Sequence, residues 1–393
     1  MRSLNNFALF KLIITITVLI LGCHNQSVSV DDEVSNDVNP EFIMGVDLSY
    51  VNQILDFNGE YKIDGQVEDP YEIFAKKGAT TARFRLFHNP SWFKDIYGEE
   101  TQLYNDLEDV KLGIERSQEA GMSVLLNFHY SDIWADPGKQ EVPSAWEGKE
   151  FRAVVDSIYQ YTFNSLQYLS QNNALPEMVQ IGNENNCGLV HPYGDVCGNS
   201  NWSQLGELIN SGIKAVRDIE NLTGKEIKII LHVAQPENVT DWFNSLIQDG
   251  EVTDFDVVGY SYYTKWSEIP LSRIAAFTEN FRLVYKREVM ILETAYSWTT
   301  DNADSYGNIF DDQSLINGYP ATNEGQRQFM IDLVSQVKKG GGQGVFYWEP
   351  AWITSDMKDL WGTGSSWENN ALFDFEGNAN IGFEYMSHDY DNM

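Results

Sequence analysis

The sequence predicts an α/β fold, a single (β/α)8 TIM barrel whose elongated βα loops form a substrate cleft. Eight short and nearly all-apolar segments alternate with amphipathic segments along the 393-residue chain, as parallel strands and their connecting helices do. Polar and aromatic residues gather at the same end of nearly every apolar segment, and active sites of such barrels lie at the C-terminal strand ends. No Gly-rich phosphate loop follows the first segment, which disfavours the rival, an open doubly wound sheet.

The elements follow one another in regular order. The predicted strands are residues 43–47, 81–86, 123–128, 178–181, 227–232, 257–260, 289–292 and 344–347. The predicted helices are residues 71–77, 105–120, 151–171, 202–221, 239–248, 271–285 and 323–339. Gly78, Gly121 and Gly340 stand directly after three of these helices, where glycine commonly ends a helix.

The N-terminal segment predicts export. Residues 12–21 form an apolar run of about ten residues, which is too short to span a bilayer and typical of a signal peptide. The run ends in Ile20-Leu21-Gly22-Cys23, which resembles a bacterial lipobox, where Cys23 is lipidated and becomes the first mature residue. An ordinary signal peptide that happens to contain a cysteine is the alternative.

The domain organisation follows from this reading. Residues 1–22 are the predicted lipoprotein signal peptide, residues 23–40 a flexible acidic tether, and residues 41–393 the catalytic domain. We expect an exported bacterial lipoprotein of the outer membrane, on the cell surface or in the periplasm, that contacts the membrane only through its lipid. The acidic segment Asp31-Asp32-Glu33 favours the cell exterior.

Charge and composition restrict the partners. The net charge of −32 is distributed along the chain, so the phosphates of nucleic acids would be repelled. A polyanion such as polygalacturonate is disfavoured for the same reason, whereas a neutral polysaccharide is compatible. Aromatic residues make up 13% of the chain, and sugar-binding clefts use aromatic faces. We expect a monomer.

Two cysteines remain for the folded domain. Cys187 and Cys197 fall in one loop after the fourth predicted strand, and in an oxidising compartment they could form a local disulfide. Two free thiols are the alternative. Zinc is disfavoured, because His191 is the nearby histidine and a structural zinc site needs four ligands.

Two glutamates stand at the ends of predicted strands. Glu184 follows the fourth strand and Glu293 the seventh. A lone glutamate at such a position is usually a solvated or helix-capping residue, but two carboxylates across one pocket are the minimum machinery for cutting a glycosidic bond. Polar or aromatic residues end the other strands as well, including Asp47, Arg83, Arg85, His88, His129, Asn183, Tyr263 and Trp348.

These segments resemble glycoside hydrolase family 53, within the clan of barrel enzymes that carry catalytic glutamates on strands four and seven. The matching segments are residues 45–49, 83–86, 127–140, 179–184, 293–298, 347–352 and 370–375. The pair Asn183-Glu184 marks only the clan, whereas the long segment after strand three and Glu293-Thr294-Ala295-Tyr296 are specific to the family. The resemblance implies an endo-β-1,4-galactanase that hydrolyses the (arabino)galactan side chains of pectin.

The resemblance also implies the catalytic roles, with Glu184 as general acid/base, Glu293 as nucleophile, and retention of configuration. The chemistry needs a protonated Glu184, whose pKa we expect apolar surroundings and the Glu293 charge to raise. Glu293 must stay ionised and needs donors such as Arg83 or a tyrosine hydroxyl. The expected substrate-binding residues are Asp47, Arg83, His88, His129, Asn183, Tyr263 and Trp348.

Two of these residues have specific expected contacts. We expect Asn183 to bind the sugar 2-hydroxyl, an interaction that strengthens in the transition state. Trp348 is expected to stack on the sugar next to the cut bond, with packing inside the barrel as the alternative.

A second site is expected after strand seven. The resemblance implies a structural Ca²⁺, with Asp304, the Tyr306 carbonyl and Asn308 as ligands, joined by Ser365 and Glu368. Hard oxygen ligands suit Ca²⁺. The chain departs from the family pattern in having Glu368 where aspartate is usual and a short loop at residues 352–367, so a solvated turn is the alternative. No cofactor is expected for catalysis.

Two other functions stay open on the sequence alone. One is a barrel hydrolase of another β-linked plant glycan, such as mannan, xylan or glucan. The other is a surface lipoprotein that binds glycans without cutting them, which the presence of both Glu184 and Glu293 disfavours, because binding requires neither.

Overall fold

Eight parallel strands close into a barrel in the computed structural model, which describes residues 42–390. Each strand pairs with its neighbours in chain order, and the eighth pairs with the first. The strands are β1 (Ile43–Asp47), β2 (Thr81–Leu86), β3 (Ser123–Phe128), β4 (Met178–Ile181), β5 (Lys228–Ala234), β6 (Val257–Ser261), β7 (Glu288–Thr294) and β8 (Gly344–Tyr347). The predicted TIM barrel is confirmed.

A helix follows each of the first seven strands. These helices are α1 (Pro70–Lys77), α2 (Leu107–Glu119), α3 (Phe151–Gln171), α4 (Trp202–Thr223), α5 (Pro236–Gln248), α6 (Ile274–Tyr285) and α7 (Asn323–Lys339). After β8, a 3-10 turn at Ile381–Tyr385 packs against α7 in the eighth position.

The predicted strand ends were too early in β5, β6 and β7. These strands continue to Ala234, Ser261 and Thr294. In β6 and β7 the added polar residues Ser261 and Glu293 are buried in the barrel mouth and hydrogen-bonded there, and in β5 the added Val233 and Ala234 pair with Tyr260 and Ser261 of β6. The helix predicted at residues 271–285 begins as a 3-10 turn at Leu271–Arg273, directly after Pro270. The short helices Val51–Asp56 and Phe93–Tyr97 were not predicted.

The inside of the barrel is filled by a layer of large apolar side chains. Its fully buried or nearly buried members are Leu125, Met178, Ile230, Val257, Met290, Leu292 and Phe346. Two glycines make room for them: a Cβ at Gly45 would lie 2.1 Å from the Phe346 ring, and a Cβ at Gly259 would lie 2.3 Å from Leu292. This apolar layer forms the floor beneath the polar groups of the mouth.

Long loops surround the C-terminal rim, and one of them is closed by a disulfide. The structure joins Cys187 to Cys197, with their Cα atoms 4.9 Å apart, in the loop between β4 and α4. Between the two cysteines, Gly188–Leu189 and Gly194–Asp195 pair as a small antiparallel hairpin.

The predictions for the N-terminal segment concern residues that the structure does not describe. The signal peptide, the lipidation of Cys23 and the tether lie outside the described residues. Within residues 42–390, no helix is long and apolar enough to cross a membrane.

Candidate active site

A cavity of about 780 Å³ opens at the C-terminal mouth of the barrel. Glu184 and Glu293 both line it, although 109 positions of chain separate them. The other predicted residues that line the cavity are Asp47, Arg83, His129, Asn183, Tyr263 and Trp348. The barrel therefore collects side chains from β1, β2 and β7 and from the loops after β3, β4, β6 and β8.

Glu184 is presented by a sharp turn at the end of β4. Gly182 has φ 76° and Glu184 has φ 43°, so both lie in the left-handed region, which is costly for a residue with a side chain and is concentrated at functional sites. The turn is tied down from two directions. Asn185 Nδ2 donates to the Ile181 carbonyl at 2.9 Å, and Gln140 Nε2 donates to the Asn183 carbonyl at 2.8 Å.

Glu293 enters the cavity because β7 is irregular. Ile291 pairs with Val345 of β8, but the next pairing joins Thr294 to Tyr347, so β7 has an extra residue here. Leu292 belongs to the apolar layer inside the barrel, and in a regular strand its neighbour would point to the other face. The bulge turns Glu293 inward as well, which is a common use of bulges near active sites.

Arg83 is the central donor for the Glu293 carboxylate. Its Nη2 donates to Glu293 Oε1 at 2.9 Å, while Nη1 donates to Asp47 Oδ2 at 2.9 Å. The Tyr263 hydroxyl donates to Glu293 Oε2 at 3.2 Å. The positive charge of Arg83 favours the ionised form of Glu293, and this attraction is strong because Arg83 is almost fully buried.

The Glu184 carboxyl accepts a hydrogen bond from Ser261, the last member of a chain of neutral hydrogen-bonded side chains. Gln180 Nε2 and the Glu184 backbone N–H lie 3.0 and 3.4 Å from His232 Nδ1, and the acceptor Asn183 Oδ1 lies 3.2 Å from the same nitrogen. We assign the imidazole proton to Nε2, because two donors face Nδ1. His232 Nε2 then donates to Ser261 Oγ at 2.9 Å, and Ser261 Oγ donates to Glu184 Oε1 at 2.5 Å. No cation contacts the Glu184 carboxyl among the described hydrogen bonds and ion pairs, in contrast to Glu293.

The two carboxyls therefore differ in acidity. Burial raises the pKa of Glu184 well above its usual range, and the charge of Glu293 raises it further. Burial also raises the pKa of Glu293, but the charge and hydrogen bond of Arg83 oppose this effect. We infer that Glu293 ionises first and that Glu184 keeps its proton, the division of roles that a retaining glycosidase needs.

Burial favours the neutral form of two histidines, His129, which lines the cavity, and His232, which is buried next to Ser261. It lowers the pKa of His129 and of His232 well below 6.5, and the nearby arginine charges add to this effect. His129 Nδ1 accepts from the Ala135 backbone N–H at 2.9 Å, so the ring shapes the cavity wall. A neutral imidazole leaves Glu184 as the proton donor of the site.

Replacing Ser261 with alanine tests the donor chain. The Ser261 hydroxyl stabilises the ionised carboxylate and lowers the pKa of Glu184, so its loss raises that pKa and keeps the acid form to higher pH. We expect the alkaline limb of the kcat/KM profile to move to higher pH. Ser117→Ala, which removes a buried hydroxyl of α2 that lacks a partner, is the matched control. An alkaline limb unchanged or shifted to lower pH in Ser261→Ala would contradict the chain.

Asn183 is oriented by the same arginine. Arg83 Nη2, which can only donate, lies 2.8 Å from one side-chain atom of Asn183 and identifies it as Oδ1. Asn183 Nδ2 is thereby directed to the Ala135 carbonyl at 2.9 Å. One of its two N–H bonds is used there, which leaves the other for the expected sugar hydroxyl.

His88 is the predicted substrate-binding residue that the structure does not bring to the cavity. Its Nδ1 lies 3.4 Å from Asp132 Oδ1, and its ring packs on Trp146 and Tyr161 at centroid distances of 5.0 and 4.8 Å. The chain leaves β2 at Leu86, and two residues later it has already turned outward over α3. His88 therefore lies outside the cavity lining, and its contact with substrate stays a prediction.

Aromatic side chains form much of the cavity wall, and the sequence analysis missed most of them. Trp348 lines the cavity as predicted, with its ring at 89° to Trp367 and a centroid distance of 4.6 Å. The further tryptophans are Trp134, Trp266, Trp352, Trp361 and Trp367. Trp361 and Trp266 are 60% and 49% exposed. They come from long loops, and the only sequence signal for them was the high aromatic content.

A second buried charge pair lies beside Asp47. Arg85 lines the cavity, bonds Glu349 and stacks over the Tyr50 ring at 4.1 Å. Burial raises the pKa of Glu349 to about 8. The sequence showed Arg85 at a strand end but gave no reason to pair it with Glu349, 264 positions away.

The proposed calcium ligands do lie together, but hydrogen bonds within the protein use several of their oxygens. Asp304 Oδ1 accepts from Tyr306 N at 2.7 Å, and Oδ2 accepts from Ser365 N at 2.9 Å. Glu368 Oε1 accepts from Ala303 N at 2.6 Å. Ser365 Oγ donates to the Trp352 carbonyl, and the Tyr306 hydroxyl donates to Asp359.

Two oxygens of this set have no partner. Glu368 Oε2 and Asn308 Oδ1 are buried and accept no hydrogen bond of good geometry in the described part of the chain, although Asn308 and the Asp304 backbone lie close enough to the Glu368 carboxyl to lower its pKa. The residues can thus offer unsatisfied oxygens to a cation. Within residues 42–390, however, no group of three or more histidine, cysteine, aspartate or glutamate side chains is arranged for a metal, so a cation there would depend on neutral oxygens as well.

Comparisons with known proteins agree with this geometry. Residues 43–386 match the family model described as Glycosyl hydrolase family 53. The chain is 41% identical to the arabinogalactan endo-β-1,4-galactanase of Cellvibrio japonicus, covering 90% of this chain and 92% of that protein. It is 32% identical to the endo-β-1,4-galactanase of Bacillus subtilis, over 86% of this chain and 84% of that protein.

A solved structure shares the fold. The catalytic domain of Ignisphaera aggregans GH53 superposes with a TM-score of 0.79 at 34% identity, covering 88% of this chain and 95% of that chain. The buried glutamate pair, the closed barrel and the match over nearly the whole described region lead to one conclusion. The chain belongs to glycosyl hydrolase family 53 and is a glycoside hydrolase.

Proposed function

We propose that the protein is an endo-β-1,4-galactanase that hydrolyses (arabino)galactan, the neutral side chains of pectin, by a retaining double displacement. The observation that carries this proposal is the pair of buried glutamates in one cavity with opposite surroundings. Arg83 bonds the Glu293 carboxylate, whereas the neutral Ser261 is the only described residue that donates to the Glu184 carboxyl. The names of the relatives from Cellvibrio japonicus and Bacillus subtilis supply the substrate class.

In the first step the glycosidic bond breaks and a glycosyl-enzyme forms. Glu184 gives its proton to the glycosidic oxygen as the C1–O bond breaks, and a Glu293 oxygen forms a bond to C1 from the opposite face. The leaving sugar chain departs with a new hydroxyl group. Arg83 and Tyr263 hold the Glu293 carboxylate in place for attack.

In the second step a water molecule displaces the Glu293 carboxylate from C1. Glu184 is now a carboxylate and takes a proton from water as the water oxygen bonds C1 and the bond to Glu293 breaks. Two inversions at C1 leave the product in the starting β configuration. Both glutamates return to their original protonation states.

The aromatic wall supports action within a chain. Trp348 lies in the cavity, while Trp361 and Trp266 extend to its exposed margins. Each can stack on a sugar face, so residues of the polymer beyond the cut bond can be held as well. This supports an endo-acting enzyme for a neutral polymer, consistent with the strongly negative chain.

Release of new reducing ends from a panel of polysaccharides tests the function. We expect the chain of residues 24–393 to cut galactan, and to cut mannan, xylan and carboxymethylcellulose far less. Preferred cleavage of one of the other three would assign the barrel to a different β-linked glycan. Tight binding of galactan without cleavage would favour the non-catalytic lipoprotein.

We propose that the enzyme is exported and anchored through a lipid on Cys23 at the outer membrane. The lipobox-like Ile20-Leu21-Gly22-Cys23 supports this. Cys23→Ser should abolish incorporation of labelled palmitate in the bacterial cell and release the enzyme from the membrane fraction. A monomer is proposed too, and size-exclusion chromatography with light scattering measures it.

We propose that calcium binds beside Asp304 and Glu368. The unpartnered Glu368 Oε2 and Asn308 Oδ1 support this, and burial raises the pKa of Glu368 to about 7, a state that a cation would relieve. At a concentration of about 100 Kd, Ca²⁺ should stabilise the fold by about 2.7 kcal/mol. We expect a higher Tm in Ca²⁺ than in EDTA, a difference that Glu368→Gln reduces. Equal Tm values for the unmodified enzyme would contradict the site.

A further inference from the structure

A groove of about 1090 Å³ lies at the opposite end of the barrel from the active site. It is bordered by Lys228 and Glu288, the first residues of β5 and β7, and by Gln343 just before β8. Six basic and four acidic side chains line it, whereas the whole chain has 26 basic and 58 acidic residues. The groove is therefore a locally basic surface on a strongly acidic protein.

Some of these charges are already neutralised within the protein. Arg217 bonds Asp254 and Asp256, and Lys228 bonds Glu288 at 2.7 Å. Such pairs have little charge left to offer a partner.

Four cations of the groove have no carboxylate partner among the described residues. We call this set the basic groove; it consists of Lys225, Arg282, Lys286 and Arg287. Arg287 donates to the backbone carbonyls of Thr253 and Lys286, and these neutral acceptors leave its charge uncompensated. Glu226, which also lines the groove, has no ion pair among the described residues and offsets one of these charges. The basic groove thus presents a net excess of three positive charges (4 − 1) to an outside partner.

Exposed aliphatic side chains stand beside the basic groove. Leu283 lines the groove and is 59% exposed, its neighbour Val284 is 55% exposed, and Leu222 at the end of α4 is 59% exposed. Cations next to exposed aliphatic groups are typical of surfaces that bind anionic bilayers. A polysaccharide site would instead present exposed aromatic faces, as the active cavity does with Trp361.

The described chain enters the barrel at the rim of this groove. The Ile43 backbone N–H donates to the Gln343 carbonyl at 2.9 Å, and Gln343 lines the groove. The preceding 41 residues, which include the predicted lipidation site, therefore connect to the barrel at this end.

We propose that the basic groove binds the anionic headgroups of phospholipids at a bilayer surface, while Leu222, Leu283 and Val284 contact the outer acyl region. The active cavity, at the other end of the barrel, then faces away from the bilayer and towards the polysaccharide. At physiological salt the Debye length is about 8 Å, so the four local cations govern this contact despite the net charge. The proposal does not depend on the galactanase activity.

Vesicle co-sedimentation tests the proposal without the lipid anchor. A chain of residues 24–393 keeps every described element and lacks Cys23. We expect at least about tenfold tighter binding to vesicles of phosphatidylcholine with phosphatidylglycerol than to phosphatidylcholine alone, weakening as salt rises. The combined change Lys225→Ala, Arg282→Ala, Lys286→Ala and Arg287→Ala should remove this preference.

The matched control removes four positive charges elsewhere, through Lys76→Ala, Lys94→Ala, Lys111→Ala and Lys149→Ala, and should keep the preference. Equal binding by the two quadruple variants, or no preference in the unmodified chain, would overturn the proposal. Binding to polygalacturonate in place of vesicles would also overturn it and assign the groove to an acidic polysaccharide. Galactan hydrolysis should be unchanged in both variants, which separates this test from that of the proposed function.

A second variant tests the aliphatic contact alone. Leu283→Ser combined with Val284→Ser leaves every charge in place and should weaken binding to the anionic vesicles. Unchanged binding would contradict contact with the acyl region.

Discussion

Replacing Glu293 with alanine is expected to lower kcat on galactan by about 10⁴-fold or more, the largest effect of any single change, because the reaction loses the group that attacks C1. Glu184 and its donor chain remain, so the leaving group can still be protonated. Added azide should enter the space left by the carboxylate and attack an aryl β-1,4-galactobioside directly. One displacement inverts C1, so the product should be the α-azide, identified by NMR.

The control for this change lies on the same strand. Glu288 begins β7, at the far end from Glu293, and bonds Lys228; Glu288→Ala should leave kcat nearly unchanged. Both variants should retain the circular dichroism spectrum of the unmodified enzyme. A Glu293→Ala enzyme that still cuts galactan at a normal rate would remove Glu293 from the mechanism.

Glu184→Gln should produce the second largest loss, roughly 10²–10⁴-fold in kcat on galactan, which is the usual contribution of a general acid. The loss should be much smaller for formation of the glycosyl-enzyme from a dinitrophenyl galactobioside, since this leaving group departs without a proton. Azide should then intercept the intermediate on Glu293 and give the β-azide. The alkaline limb of the kcat/KM profile, assigned to Glu184, should disappear.

Glu177→Gln is the matched control, because Glu177 precedes the same strand and accepts from the Val124 backbone at the opposite end of the barrel. Glu177→Gln should leave both the rate on galactan and the rate on the aryl substrate unchanged. An α-azide from Glu184→Gln, or an equal loss on both substrates, would show that the roles of the two glutamates are assigned wrongly.

The strand ends of the barrel could be predicted where an apolar run is followed directly by polar or turn residues. β3, β4 and β8 begin and end at the predicted residues, because an apolar run gives way there to polar or turn residues. β6 and β7 run longer than predicted, since Ser261 and Glu293 are polar residues that belong to strands. A rule based on hydrophobic runs cannot separate a buried polar residue of the barrel mouth from the start of a loop.

The two catalytic glutamates could be predicted from the sequence, but the residues that hydrogen-bond and orient them could not. Glu184 and Glu293 stand at strand ends, a position that sequence alone identifies. The contact of Ser261 with Glu184 joins residues 77 positions apart, and it depends on which face of β6 points inward. The inward orientation of Glu293 depends on a bulge in β7, and no local residue pattern predicts this bulge.

The aromatic wall shows the same limit. Trp266 and Trp361 come from separate loops after β6 and β8, and both line the cavity. Loop conformation is set by tertiary contacts such as the bonds of Asp359 to Tyr306 and to the Trp361 and Gly362 backbone. The number of tryptophans can be counted from the sequence, but their positions around the cavity cannot.

Glu293 is the nucleophile on which the proposed retaining mechanism depends. The most direct measurement is to incubate the enzyme with a 2-deoxy-2-fluoro-β-galactobiosyl fluoride, digest the trapped protein with a protease and map the added mass by tandem mass spectrometry. We predict a single labelled site, on the peptide that contains Glu293. A label on Glu184, or release of the α-configured product from galactan with no labelled peptide at all, would contradict the account.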